Sequence, residues 1–236
     1  AIEFDQLELY YQPQIDAKTG KIIGMEALIR WNHPQLGMVP PGEFIPLAES
    51  SGLILPIGRW VLHQACQQTQ LWRTMGFSWL RVSINLSTLQ FAKENLTELI
   101  NQCLEASALP AELLMLEITE SLLMLDEDEA KRTLAALRQS GIQVWLDDFG
   151  TGYSSLSYLR RFQVDGLKID RSFVADIEAD PLDRALTAAM ISMAHNLNMA
   201  VVAEGIENAV QTQLLLEQKC DIGQGYLFSR PLPAEA

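Results

Sequence analysis

Two hydrophobic rhythms alternate along this chain. Short, mostly apolar runs recur at Leu7 to Gln12, Ile22 to Glu26, Leu80 to Asn85, Leu113 to Glu117, Ile142 to Asp148, Asp165 to Lys168, Met199 to Glu204 and Cys220 to Gln224. Their length and apolar density predict buried strands. Between them, apolar residues at three-and-four spacing predict helices over Arg59 to Thr74, Asn95 to Ser107, Glu127 to Gln139, Leu182 to Leu197 and Asn208 to Gln218. Gly76 and Gly141 follow two of these helices as stop signals, and Asp126 with Glu129 three residues on caps a third.

Strand and helix in alternation imply a parallel sheet. An open doubly wound sheet would carry a GxGxxG turn after its first strand and collect polar residues at one switch point. Here that motif is absent, and polar residues stand at nearly every strand end. A TIM-type α/β barrel fits better, because its chemistry gathers at one rim. No low-complexity tract or linker interrupts the rhythm, so residues 1–236 read as one domain.

The strand-end set is Glu26, Asn85, Glu117, Asp147, Asp148, Lys168, Glu204 and Gln224. Any one of them alone is an ordinary cap, turn former or ion-pair partner. Together on a closed barrel they would face one pocket. Carboxylates so crowded repel and take up protons unless cations neutralise them, and oxygen ligands without Cys or His select hard ions such as Mg2+ or Mn2+ over zinc. Two such ions about 3.5 to 4 Å apart suit in-line phosphoryl chemistry, with Asp147 as the natural bridge. Adjacent side chains on a strand point to opposite faces, so Asp147 and Asp148 can converge only if the backbone turns after Asp147. Gly150 and Gly152 are the expected source of that turn.

Charge narrows the partners. Seventeen basic against thirty acidic residues give a net charge of −13, which opposes general binding to polymeric nucleic acid. The apolar runs are far shorter than the roughly 20 residues of a membrane helix, so no membrane span is expected. Three widely spaced cysteines, Cys66, Cys103 and Cys220, read as reduced, buried thiols of a cytoplasmic protein. The chain opens without Met and runs at once into its first strand. It is therefore expected to be a module excised from a longer protein, with regulatory domains flanking it and a parent that could be membrane-anchored.

The motifs now reach a known family. Glu26-Ala27-Leu28 within Met25 to Trp31 resembles the signature of EAL domains. The match extends through Tyr11-Gln12-Pro13, Pro40 to Glu49, Ser83 to Ser87, Glu117 to Glu120, Asp147 to Gly150, Lys168-Ile169-Asp170, Glu204 to Glu207 and Gln224-Gly225-Tyr226, nearly the whole chain. Departures such as Ile29 and Ile206 are apolar exchanges.

That resemblance implies a modified (β/α)8 barrel whose first strand runs antiparallel to the others. It implies metal-dependent hydrolysis of cyclic di-GMP to linear pGpG, by in-line attack of an activated water with two divalent cations, Mg2+ or Mn2+. By the same resemblance Glu26, Asn85, Glu117 and Asp147 hold one metal, and Asp147 and Asp148 contribute to the second. Lys168 contacts the attacking water, and Glu204 is a metal-linked residue or the general base. Gln12, Leu28, Arg30 and Gln224 meet the substrate, Arg30 at a phosphate and Gln12 at a guanine, with Gln224 beside the metals. Glu120 steadies the loop after Asp148, and a homodimer forms through that loop and the helices that follow.

Three other readings compete. The same pocket could sense cyclic di-GMP without turnover and signal to adjoining domains, although members of that kind usually lose acidic ligands. A barrel lyase could use Lys168 in a Schiff base, but crowded carboxylates raise a lysine's pKa and spoil it as a nucleophile. Asp148-Phe149-Gly150 also occurs in protein kinases, yet no glycine-rich loop, Val-Ala-Ile-Lys or His-Arg-Asp accompanies it. His33, His63, His195 and the tryptophans are assigned no chemistry. The methionines at 190, 193 and 199 are read as packing or as a dimer contact.

Overall fold

The computed structural model describes residues 1–124, 127–151, 159 and 161–236. The chain enters through β1 (Leu7–Asp16) and turns into β2 (Ile22–His33), the two pairing antiparallel from Leu7 opposite Trp31 to Ile15 opposite Ile22. A small antiparallel strand, β3 (Gly37–Val39), folds back on the end of β2. Next come α1 (Pro41–Ser51), α2 (Ile54–Thr74), β4 (Arg81–Asn85), α3 (Thr88–Lys93), α4 (Leu96–Ser107) and β5 (Leu114–Thr119). The chain continues through α5 (Glu120–Leu123), α6 (Glu127–Gln139), β6 (Gln143–Phe149), β7 (Gly166–Ile169), α7 (Arg171–Ala175) and α8 (Pro181–Asn196). It ends with β8 (Ala200–Ala203), α9 (Ala209–Glu217), β9 (Ile222–Gly223) and β10 (Leu232–Pro233).

Eight of these strands close into a barrel in the order β1-β2-β4-β5-β6-β7-β8-β9, with β9 returning to β1. Neighbours from β2 to β9 are parallel, while β1 is antiparallel to both strands beside it. The expected barrel with its reversed first strand is the fold.

Two apolar regions hold it. The larger lies between barrel and helices and takes the outward faces of the strands: Val82, Ile84, Leu114, Leu116, Ile118, Val144, Leu146, Leu167, Ile169, Val201 and Ala203. The smaller plugs the barrel interior with Met115, Trp145, Val202 and Ile222. Gly166 faces Trp145 from the next strand, and a Cβ there would overlap the indole. The two-residue alternation that puts Met115 and Trp145 in the plug puts Glu117 and Asp147 one layer higher. The apolar plug therefore floors a polar layer at the carboxyl-terminal rim.

Helix ends fall close to their sequence signals. Asn95 and Asn208 cap α4 and α9 with their side chains, and Asp180 caps α8. Gly76 and Gly141 sit at φ 108° and 92°, beyond α2 and α6. α2 begins five residues before the expected Arg59, with Pro56 in its first turn, and α1 escapes the periodicity because Pro40, Pro41 and Pro46 break up the pattern. Met190 and Met199 are buried, and all three cysteines are buried free thiols. The expected Asp126 cap, and Gly152 to Leu156 of the expected dimer loop, lie outside the described residues. Among the described residues, no helix is long and apolar enough to cross a membrane.

Candidate active site

Every member of the strand-end set reaches the same rim. Glu26, Asn85, Glu117, Asp147 and Lys168 stand on β2, β4, β5, β6 and β7, and Glu204 and Gln224 directly follow β8 and β9. Lys168 is the centre, 1% exposed on β7. Its Nζ lies 2.7 Å from Glu117 Oε2, 2.7 Å from Glu204 Oε1, 3.2 Å from Asp147 Oδ1 and 3.6 Å from Glu26 Oε2. Asn85 Nδ2 donates to Glu26 Oε1 at 2.8 Å, and Gln224 Nε2 donates to Glu26 Oε2.

One ammonium among four carboxylates drives Glu26 and Glu117 in opposite directions. Burial opposes the charge on Lys168, but Glu117, Glu26, Glu204 and Asp147 outweigh it and hold its pKa well above the ordinary lysine value. Glu117 goes well above the carboxylate range, because burial and the charges of Glu26 and Asp147 overcome its contact with Lys168. Burial pushes the Glu204 carboxyl up to about 7. Glu26 moves the other way: Lys168 and the Gln224 and Asn85 amides overcome burial and lower it. Asp148 is raised by partial burial and by the Asp147 and Asp170 charges.

Asp147 and Asp148 converge through a turn that begins at Asp148 itself and continues at Gly150, whose φ is 98°; Gly152 lies outside the described residues. Asp148 itself adopts φ 52°, a left-handed conformation inside β6, where pairing with β7 shifts register between Leu146 and Phe149. Asx residues tolerate that conformation better than most, so the residue that makes the bulge also supplies the carboxylate. Asp148 N–H donates to Asp147 Oδ1 at 3.0 Å, and the Thr151 hydroxyl donates to Asp148 O at 2.8 Å. Gly150 N–H donates to Glu120 Oε1 at 3.4 Å, which ties Glu120 to this loop.

The donor set suits a hard cation. Carboxylate oxygens of Asp147, Asp148 and Glu204 lie within 4.8 Å of one another. Glu117 Oε1 is buried and receives no hydrogen bond from an amide, hydroxyl or ammonium among the described residues, its carboxyl meeting that of Glu26, a contact that needs a proton between the two acids or a cation beside them. Glu26, Asn85, Glu117, Asp147, Asp148 and Glu204 could all serve as oxygen ligands for Mg2+ or Mn2+.

Beside this cluster opens a cavity of about 300 Å3, walled by Gln12, Glu26, Leu28, Asn85, Asp147, Lys168, Glu204 and Gln224. Arg171, Gly205, Glu207, Gly225 and Tyr226 complete the wall. Arg30 lies within electrostatic reach of the wall residues Tyr226 and Glu26, its guanidinium 5.5 Å from the Tyr10 ring centroid and donating to Ile29 O at 2.9 Å. Sequence reasoning passed over Arg171 and Tyr226. Their signal was position, three residues after Lys168 and two after Gln224, in the loops that follow rim strands. Asp170 accepts from Ser172 N–H at 3.0 Å and so caps α7.

The sequence model of the family described as EAL domain matches residues 1–231. The chain belongs to the EAL domain family. This EAL domain is 48% identical over its whole length to the signaling protein YkoW of Bacillus subtilis, of which it covers 29%. It is 45% identical, again over its whole length, to the bifunctional diguanylate cyclase/cyclic di-GMP phosphodiesterase MucR of Pseudomonas aeruginosa, of which it covers 34%. The EAL domain thus spans about a third of the length of these curated relatives. Among solved structures, it superposes on the PaMucR phosphodiesterase in complex with c-di-GMP with a TM-score of 0.96 at 45% identity, covering 100% of this chain and 95% of that one.

Proposed function

We propose that this EAL domain hydrolyses cyclic di-GMP to linear pGpG, by in-line attack of an activated water in the presence of two divalent cations, Mg2+ or Mn2+. The observation that carries the reading is the oxygen cluster of Asp147, Asp148 and Glu204 beside the buried Glu117 carboxyl. It stands in a barrel that matches a c-di-GMP-bound phosphodiesterase over its full length.

Glu26, Asn85, Glu117 and Asp147 would hold one cation, and Asp147 with Asp148 the other. Ions bound there acidify water and neutralise charge developing on a phosphodiester. The chain's own groups do the rest. Lys168 keeps its proton, so its Nζ donates toward the attacking water and the developing phosphoryl charge. A Schiff base at Nζ is disfavoured for the same reason. Glu204 Oε1, 2.7 Å from Lys168 Nζ, accepts the proton the water gives up. Gln12, Leu28 and Gln224 line the cavity and orient the dinucleotide, with Arg171 as a cation at the mouth.

The test is conversion of cyclic di-GMP to pGpG by the purified chain, resolved by nucleotide chromatography with Mg2+, with Mn2+ and with chelator. Product should need either ion and disappear in Glu26→Ala. Tight binding without product under both ions would replace this reading by a receptor module.

A further inference from the structure

Buried amides beside the carboxylates form a hydrogen-bond set with only one possible polarity. A backbone carbonyl only accepts, so Gln12 must turn its Nε2 to Ser229 O and its Oε1 to Gln224, whose Nε2 therefore faces both Gln12 and Glu26 Oε2. The same Nε2 donates to Gln12 Oε1 at 3.2 Å. Gln12 can present that oxygen because its own Nε2 is committed to the backbone carbonyl of Ser229 at 3.0 Å. With its nitrogen spent, Gln224 must turn its carbonyl the other way. Gln14 meets it there, Nε2 to Gln224 Oε1 at 3.1 Å, and also reaches Ser83 Oγ at 3.5 Å.

We propose that Gln14 is a positioning residue: as the donor to Gln224 Oε1 it fixes which face of that amide meets Glu26, and so holds the Glu26 carboxylate in its rim orientation. Its consequence for metal binding rests on the function proposed above, whereas the amide orientation does not.

The chain makes room for this side chain. Gln14 is 2% exposed on β1 and stands opposite Gly24 of β2. A Cβ at Gly24 would lie 2.9 Å from Gln14 Oε1. Gly24 is not among the positive-φ glycines, so its backbone does not require glycine, and the Gln14 amide is the group that does. Two residues down β1 from Gln12, Gln14 points to the same interior face. Removing its donor would leave Gln224 Oε1 buried and unpartnered, free to rotate Nε2 away from Glu26.

Gln14→Glu and Gln14→Leu distinguish this role from space filling. Glutamate has the shape of glutamine but only acceptors when ionised, so it opposes the Gln224 carbonyl; leucine fills space with no polarity. In metal-free, 15N-labelled protein the Gln224 side-chain amide should show one proton shifted downfield by the carboxylate, and that shift should collapse in Gln14→Glu. Mn2+ affinity, followed by electron paramagnetic resonance, should fall about ten- to a hundredfold in Gln14→Glu and less in Gln14→Leu. Gly24→Ala, which pushes the Gln14 amide aside, should weaken Mn2+ binding alone and add nothing in a Gln14→Leu background. Circular dichroism melts confirm that each variant is folded. An unchanged Gln224 resonance in Gln14→Glu, or full additivity of Gly24→Ala with Gln14→Leu, overturns the proposal. A normal Gln224 signature in a wild type that binds no Mn2+ would instead sink only the metal-dependent reading.

Discussion

Lys168→Met is the most informative single perturbation, because it removes the one buried cation that four carboxylates share. The ammonium is 1% exposed and lies 2.7 to 3.6 Å from Glu117, Glu204, Asp147 and Glu26. Breaking a buried ion pair from one side costs about 3–5 kcal/mol, since the abandoned charge stays desolvated. A domain of this size loses roughly 2–4 °C of Tm per kcal/mol, so the metal-free variant should melt about 6–20 °C below wild type. The cost should grow with pH: Lys168 lowers the Glu204 carboxyl, so without it Glu204 relieves repulsion by holding a proton to higher pH than in the wild type, and the repulsion is full only once that proton is lost.

Divalent ions should reverse this loss. An ion at about a hundredfold excess over its Kd stabilises by roughly 2.7 kcal/mol, so two such ions would offset the whole of the penalty. Mg2+ should therefore raise the Tm of Lys168→Met more than that of wild type, while turnover stays lost because the donor to the attacking water is gone. Scanning calorimetry in chelator and in Mg2+, beside the nucleotide assay, reads both effects. A metal-free Tm within about 2 °C of wild type would refute the central role of the ammonium, and so would equal Mg2+ stabilisation of the two proteins. Full activity would refute its place in the chemistry.

Other outcomes follow from the same geometry. In the metal-free protein Glu204 keeps its proton up to about pH 7, whereas the unfolded chain releases it near 4.5. The native state then binds more protons across that interval, so the Glu204 contribution to stability should fall as pH rises from about 4.5 to 7, while Glu117, held well above the carboxylate range, extends the decline to higher pH. Denaturant titrations in chelator across that range measure the slope, which saturating Mg2+ should flatten. Gly225→Ala should displace the loop that carries Gln224 and Tyr226, since a Cβ there would overlap the Ile206 backbone, which cannot move aside as a side chain can. A loss of about 1–3 kcal/mol of stability with weakened nucleotide binding is the expected result, and wild-type affinity with wild-type Tm would count against it.

Much of the site was legible in the chain because a parallel barrel places its chemistry where apolar runs stop. Glu26, Asn85, Glu117, Asp147, Lys168, Glu204 and Gln224 all stand at such stops, and all converge on the rim. Gln12, Gln14 and Ser83 were harder to place, because they lie inside strands among apolar neighbours. With both faces of a barrel strand buried, period-two alternation no longer separates core from solvent, and only the closed sheet shows that one face meets a polar interior.

By itself the sequence determined the strand-helix alternation, the polar strand ends and the motifs that place the chain in its family, all of them properties of local order along the backbone. Tertiary structure alone decided how those ends bear on one another. Closure through the antiparallel β1 brings Gln12 and Gln14 against Gln224 and Glu26, more than two hundred residues away for Gln224. The left-handed turn at Asp148 sends the second carboxylate toward the first. Lys168, ordinary in the sequence, becomes the neutralising charge of the site because four strands deliver acids to within a few ångströms of it, in an interior where water cannot screen them.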